Sequence, residues 1–267
     1  MPIKLIAVDL DDTLLDKSGA VSPRTRAAIA AALANGVTVT IATGRMYRSA
    51  APFARQLGLD VPLITYNGAL IKSSLSGEVL YHRPLAERLA HQVLELFRRN
   101  SWYIQSYLDD VLYVRELDAK AQWYAAFAKV EAVPAGESFY TMPGAPTKLL
   151  SLGDPETIRE ICREVRKEFG AALSAVISKP QFLEMIDPGV GKGRALDFLA
   201  ARLGISRAEV MAVGDSENDL DLLEHAGLAV AMGNASAELK ARADAVTAAN
   251  DADGVAEAIE RYVLCGD

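Results

Sequence analysis

The sequence predicts an α/β protein: a doubly wound parallel sheet interrupted by an inserted α+β domain. Three observations carry this. Strand and helix signals alternate over residues 1–70, strand signals then follow one another without intervening helices, and the alternation resumes after Gly191.

Taken in order, Ile3-Lys4-Leu5-Ile6-Ala7-Val8 is a short apolar run, the pattern of a strand covered on both faces. Ser22-Pro23 offers an N-cap and a proline for the first helical position. Ala28, Ile29, Ala32 and Leu33 form the apolar stripe, and Asn35-Gly36 the stop. Residues 37–42, rich in β-branched side chains, predict a second strand. Residues 45–57, closed by Gly58, predict a second helix, and residues 63–66 a third strand of the same sheet, joined by right-handed crossovers. Gly77, between Leu70-Ile71 and Val79-Leu80, predicts a hairpin leaving that sheet.

The middle reads as a helix at 86–99, two strands joined at Asp109-Asp110, a helix at 118–129, a strand at 148–152, a helix at 155–169 and strands at 174–178 and 182–186. Consecutive strands imply antiparallel pairing, unlike the opening. The insert aromatics Trp102, Tyr103, Tyr107, Tyr113, Trp123 and Tyr124 read mostly as core. After Gly191 come a helix (194–203), a strand (210–213), a helix (220–226), a strand (229–231) and helices at 235–243 and 254–264. The expected division is 1–83 and 189–267 for one domain, with 84–188 inserted.

Composition narrows the function. Hydrophobic residues make up 51% and charged residues 24%, which excludes a disordered chain. No uncharged apolar run reaches the roughly 18 residues that a membrane helix needs. Asp9, Asp11 and Asp12 interrupt the leading apolar stretch, unlike a signal peptide. Two cysteines fit a reducing compartment, so the expected location is the cytoplasm. With 28 Lys and Arg against 35 Asp and Glu, the net charge of −7 argues against nucleic acid as a partner.

The chemistry concentrates where strands end, the edge at which doubly wound sheets bind ligands. Asp9-Leu10-Asp11-Asp12-Thr13 follows the first strand. Two carboxylates about 3 Å apart repel by about 1.4 kcal/mol in water and about 5 at an effective dielectric near 20, so a fold keeps such a cluster only with a cation or proton to relieve it. A lone Asp-x-Asp is more often a solvated acidic turn. The second strand ends Thr43-Gly44-Arg45, a hydroxyl and a helix start whose N–H groups suit an anion; alone it reads as a capped turn. The strand at 210–213 ends Gly214-Asp215-Ser216-Glu217-Asn218-Asp219, and Lys192 stands between Gly191 and Gly193 just before a helix. Carboxylates for a hard cation, donors for an anion and a lysine at one edge point together to phosphoryl transfer with Mg²⁺.

Competing motifs fail. A Walker loop would need Gly at 186 and Ser or Thr at 193, where Ile186 and Gly193 stand. The Gly-x-Gly-x-x-Gly dinucleotide fingerprint is missing after the first strand. His82, His91 and His225 lack metal-ligand spacing, and Cys162, beside Ile158 and Val165 on a helix, reads as a core thiol.

Asp9-x-Asp11-x-Thr13, Thr43-Gly44-Arg45, Lys192 and Gly214-Asp215-x-x-Asn218-Asp219 resemble the four motifs of the haloacid dehalogenase superfamily. The insert between the second and third motifs, Thr65-Tyr66-Asn67-Gly68-Ala69 and the Asp187-Pro188-Gly189 approach to Lys192 are similar to the Cof-type phosphatases. The resemblance spans the chain and implies a Rossmann-like core with an α+β cap, and a Mg²⁺-dependent phosphatase of small phosphate monoesters. It implies Asp9 as nucleophile forming an aspartyl-phosphate, and Asp11 as general acid and base. Asp9 and Asp215, with the Asp11 main-chain carbonyl, would hold Mg²⁺. Thr43, the Leu10 and Gly44 amides, Lys192 and Asn218 would bind phosphate, and Asp219 would orient Lys192 or a metal-bound water, with Thr13 and Arg45 in support. A phosphomutase and a non-catalytic phosphoacceptor or ligand sensor are the alternatives. Substrate preference is expected to lie in the insert; a monomer or weak dimer is expected, with no membrane partner.

Overall fold

The computed structural model describes residues 2–265. Its elements, in chain order, are β1 (Leu5–Val8), α1 (Pro23–Ala34), β2 (Thr38–Ile41), α2 (Tyr47–Gln56), β3 (Pro62–Thr65), β4 (Leu70–Ser73), β5 (Val79–His82), α3 (Glu87–Arg99), β6 (Gln105–Leu108), β7 (Val111–Val114), α4 (Ala119–Ala128), β8 (Ala132–Pro134), β9 (Lys148–Leu152), α5 (Pro155–Phe169), β10 (Ser174–Lys179), β11 (Phe182–Ile186), α6 (Lys192–Leu203), β12 (Val210–Gly214), α7 (Leu220–Glu224), β13 (Leu228–Ala231), α8 (Ala237–Arg242), β14 (Ala245–Val246) and α9 (Gly254–Ile259). They form two compact units, one of residues up to Tyr81 and from Gly191 onward, the other His82–Val190.

The discontinuous unit is α/β. Its five-stranded sheet has the order β14-β13-β12-β1-β2, and every pair in it is parallel. β1 and β12 lie side by side at its middle and are buried at every residue, which is why both read as unbroken apolar runs rather than alternations. Local capping sets helix starts. Ser22 accepts the Thr25 N–H ahead of Pro23 at the start of α1.

The third strand departs from expectation. β3 touches the parallel sheet through one bridge, Ala42 to Ile64, and pairs antiparallel with β4. Thr40 Oγ1 donates to the Pro62 carbonyl, fastening β3 to β2 through a side chain. The expected helix at 45–57 begins at Tyr47; before it, the Thr43 N–H donates to the Ile64 carbonyl and the Arg45 and Thr43 carbonyls accept from the Tyr66 and Asn67 N–H groups. The last helix of the α/β unit before β12 starts at Lys192, two residues earlier than its pattern suggested. β14, only two residues long, has no sequence signal of its own.

The other unit is α+β, with a six-stranded sheet in the order β10-β11-β9-β6-β7-β8. Pairing is antiparallel except for β7 with β8, a short strand the sequence reading missed. Helices α3 and α5 bury Val93, Phe97, Ile158, Ile161, Cys162 and Val165 against Leu149, Leu183 and Met185 of the sheet. Burial raises the Cys162 thiol above its ordinary range, as suits a packing residue. Tyr107 and Tyr124 are buried and share a 2.6 Å hydrogen bond between their hydroxyls. Trp123 is not core: it stacks on Phe127 at 5.4 Å with half its surface exposed.

Candidate active site

All of the clustered polar groups described here belong to the α/β unit. Asp9 follows β1, and its N–H donates to the Val213 carbonyl of β12 at 3.0 Å, extending the strand pairing by one residue. The chain then turns sharply, with Leu14 N–H on the Asp9 carbonyl, Leu15 N–H on the Leu10 carbonyl and Asp12 at φ 59°. Asp9 is thereby buried at a strand end with its carboxylate in reach of groups from other strands.

Lys192 is the centre of those groups. It is 1% exposed, and its Nζ donates to Asp9 Oδ1 and Asp219 Oδ1, each at 2.6 Å. The other Asp219 oxygen accepts the Asp215 and Ser216 N–H groups, both at 3.1 Å. Thr13 Oγ1 donates to Asp215 Oδ1 at 2.8 Å, joining the first acidic string to the last. Oxygens of Asp9, Asp215 and Asp219 all lie within 4.8 Å of one another.

Electrostatics follow from that crowding. Burial, then Asp219, pushes the Asp9 carboxyl well above its ordinary range, and Lys192 offsets this only in part. Asp215 is pushed up to about 6, first by burial, against the Thr13 hydrogen bond and with help from Asp219 and Asp12. Burial works against the Lys192 charge, but Asp219 and Asp9 outweigh it and hold the ammonium above its usual value. Three carboxylates against one ammonium leave two negative charges, the charge that one divalent cation balances. The oxygen-only donor set is the kind that Mg²⁺ takes. The site therefore fits such an ion, which oxygens of Asp9, Asp215 and Asp219 could hold.

Asp11 is elsewhere. Arg45 clasps it bidentately, Nε to Oδ2 at 2.8 Å and Nη2 to Oδ1 at 2.6 Å. Its carboxylate is not among the Asp9, Asp215 and Asp219 oxygens that lie within 4.8 Å of one another. Thr43 is buried; its Oγ1 accepts the Arg45 N–H at 3.1 Å and its carbonyl the Asn67 N–H at 3.0 Å. Leu10 is buried in the turn after Asp9. Asn218 is exposed and its Oδ1 accepts from the Ser216 hydroxyl.

The Thr65–Ala69 motif, given no role from the sequence, forms a left-handed turn, with Tyr66, Asn67 and Gly68 at φ 52°, 56° and 98°. Such conformations are rare outside glycine and gather at functional sites. This turn packs on both neighbouring loops: Tyr66 N–H meets the Arg45 carbonyl at 2.9 Å, and a Cβ on Gly68 would overlap the Gly191 carbonyl. Sequence reasoning also passed over Asp221, Asn234 and Asn250. Asn234 Nδ2 donates to the Asp12 carbonyl at 2.8 Å and its Oδ1 accepts the Asn250 N–H at 2.9 Å. Nothing local marks these three; each matters through a partner distant in sequence.

Acidic groups from two strand ends, joined by one buried lysine on a doubly wound parallel sheet, define a hydrolase-type site of the phosphoryl-transfer kind. The family model for haloacid dehalogenase-like hydrolases matches residues 6–259, and the chain belongs to that family. It is 34% identical to a 5-amino-6-(5-phospho-D-ribitylamino)uracil phosphatase of Bacillus subtilis, over 98% of this chain and 96% of the relative. It is 32% identical to an HMP-PP phosphatase of Serratia proteamaculans, over 89% of this chain and 86% of that one. Among solved structures, a haloacid dehalogenase-like hydrolase from Bacteroides thetaiotaomicron superposes with a TM-score of 0.90 at 32% identity, covering 97% of this chain and 99% of its own. Among the described residues no helix is long and apolar enough to cross a membrane.

Proposed function

We propose that this chain is a Mg²⁺-dependent phosphatase of small phosphate monoesters that works through an aspartyl-phosphate on Asp9. The observation that carries the reading is the buried Lys192 ammonium shared between Asp9 and Asp219 at 2.6 Å, beside Asp215. The relatives' names support phosphate release but differ in substrate, so the leaving group stays at the level of a small phosphorylated metabolite.

In the first step an Asp9 carboxylate oxygen attacks phosphorus, the bond to the leaving oxygen breaks, and Asp11 gives that oxygen its proton. Asp11 then takes a proton from water as that water attacks phosphorus, and the bond to Asp9 breaks to free inorganic phosphate. Lys192 favours the Asp9 anion and aims it, and with Thr43, the Leu10 and Gly44 amides and Asn218 it would bind the phosphate oxygens. Asp219 fixes Lys192. Thr13 steadies Asp215, and Arg45 holds Asp11 until substrate arrives. A Mg²⁺ held by Asp9, Asp215 and the Asp11 carbonyl would supply charge neutralisation.

Purified protein incubated with a panel of phosphate monoesters is expected to release inorganic phosphate with Mg²⁺ and to stop in excess EDTA. Release at full rate in EDTA overturns the metal requirement; no release from any monoester, or release only with a bisphosphorylated sugar present, overturns the phosphatase reading. The pH dependence of metal activation follows from Asp215 at about 6. Its raised carboxyl binds a proton below that value and the proton must leave before the cation binds. The half-saturating Mg²⁺ concentration is thus expected to rise as the pH falls, at least about tenfold between pH 7 and pH 5.

Asp11→Asn removes the transferable proton. Rates on an alkyl phosphate are expected to fall by about 10²–10⁴-fold. A nitrophenyl phosphate, whose leaving group needs no proton, should lose less. Equal losses on both substrates in the pre-steady-state burst of the leaving alcohol, which reports the first transfer alone, would rule out a leaving-group role.

A further inference from the structure

Helix α6 begins at Lys192 with Gly191 as its N-cap, a residue with no side chain to accept the first-turn N–H groups. One of those donors, Gly193 N–H, is met from another element: Asp221 Oδ2 of α7 accepts it at 2.7 Å. The approach is close on both sides of Lys192. A Cβ on Gly191 would overlap Asp221 Oδ2, and a Cβ on Gly193 would overlap the Asp221 carbonyl and the His225 ring. Asp221 is itself tethered, with Oδ1 at 3.4 Å from His225 Nε2, while His225 Nδ1 lies 2.6 Å from Asp197 Oδ2. Asp197 belongs to α6, so the chain of contacts leaves the first turn of that helix and returns to its middle.

Between the two glycines stands a residue under a strict geometric demand. The Lys192 ammonium sits at the end of four rotatable bonds, buried, and must meet two carboxylates at 2.6 Å together. A backbone shift of a few tenths of an ångström at 191–193 would lengthen one of those bonds. We propose that Asp221 is a positioning residue for Lys192: its carboxylate stands in for the missing N-cap, clamps the turn 191–193, and so sets where the ammonium lies. What matters is an acceptor at the Oδ2 position, not its charge. The consequence for turnover rests on the phosphatase reading of Lys192; the positioning itself does not.

The test compares Asp221→Leu, similar in size without an acceptor, with Asp221→Asn, which keeps one. The first readout needs no substrate: the rate at which an N-hydroxysuccinimide acetate ester acetylates Lys192 in the folded full chain, followed by peptide mass spectrometry against Lys4 as exposed control. Asp221→Leu is expected to speed acetylation of Lys192 tenfold or more with Lys4 unchanged, and to lower kcat/KM on the best monoester by about 10–100-fold, mostly in kcat. Asp221→Asn is expected to stay within about threefold of the parent chain in both. If Asp221→Leu does not fold, Asp221→Ala takes its place, since the side chain is 42% exposed and tolerates truncation. Lys192 as protected in the folded non-acceptor variant as in the parent overturns the proposal. So does an Asp221→Asn variant as exposed at Lys192 as Asp221→Leu. Faster acetylation in Asp221→Leu, together with a parent chain that releases no phosphate from any ester, would uphold the positioning and reject the phosphatase reading.

Discussion

Asp9→Asn is expected to lose steady-state phosphate release by about 10⁴-fold or more while the protein melts no earlier than its parent. An amide is no nucleophile toward phosphorus, so the proposed covalent step has no substitute group. Stability runs the other way. Burial and Asp219 hold the Asp9 carboxyl well above its ordinary range, so at neutral pH the ionised form works against folding. The neutral isostere removes that cost, and Lys192 keeps its second partner, Asp219 at 2.6 Å. The expected thermal midpoint, measured in EDTA at pH 7, is equal to or above that of the parent, the usual exchange between stability and activity at a strained site. A fold lost along with the activity would show Asp9 to be a structural member of the cluster, and residual turnover would remove it as the nucleophile.

Lys192→Met should be the most disruptive single change in the α/β unit. Its ammonium is the cation shared by Asp9 and Asp219, which are themselves 5% and 0% exposed. Removing one side of a buried ion pair leaves uncompensated charge, at about 3–5 kcal/mol. The variant should also lose catalysis on the proposed mechanism, since the Lys192 ammonium is the side-chain donor to the Asp9 carboxylate. The pH signature separates this from a packing defect. Without the ammonium the Asp9 carboxyl, already raised by burial, loses the group that offsets this, so protons bind the native form more tightly than the unfolded one. Stability is then greatest near and below the unfolded value of about 4 and falls as pH rises through the raised value. In EDTA, the deficit against the parent should shrink between pH 7 and pH 5. A deficit independent of pH would mean that the lysine matters for its volume alone.

How these residues meet was only partly legible beforehand. The apolar runs that became β1 and β12 could be read as strands covered on both faces, and the acidic strings after them as one functional edge, because burial and period leave a local mark. α5 began at its proline, after an aspartate that accepts two first-turn N–H groups, since capping chemistry is local too. The weakly marked pieces were misread or missed. β8 and β14 are three and two residues long, too short for a pattern, and exist because a neighbouring strand offers them hydrogen bonds. β3 looked like a member of the parallel sheet, yet its backbone pairs with β4. Trp123 carried an apolar signature without saying whether anything would cover it.

The acidic strings, Lys192 and the alternation of strands and helices are properties of the chain as written, and they determined the α/β architecture and the phosphoryl-transfer chemistry proposed for it. Which carboxylates share a space was decided by the tertiary structure. Asp11 stands two residues from Asp9 but turns to Arg45, whereas Asp215 and Asp219, more than 200 positions away, join Asp9 around one ammonium. The cause is that β12 lies next to β1 in the sheet, so its end is nearer to Asp9 than most of the intervening chain. Asp221, silent in the sequence, gained its place beside Lys192 only because α7 packs against a helix start that two glycines leave bare.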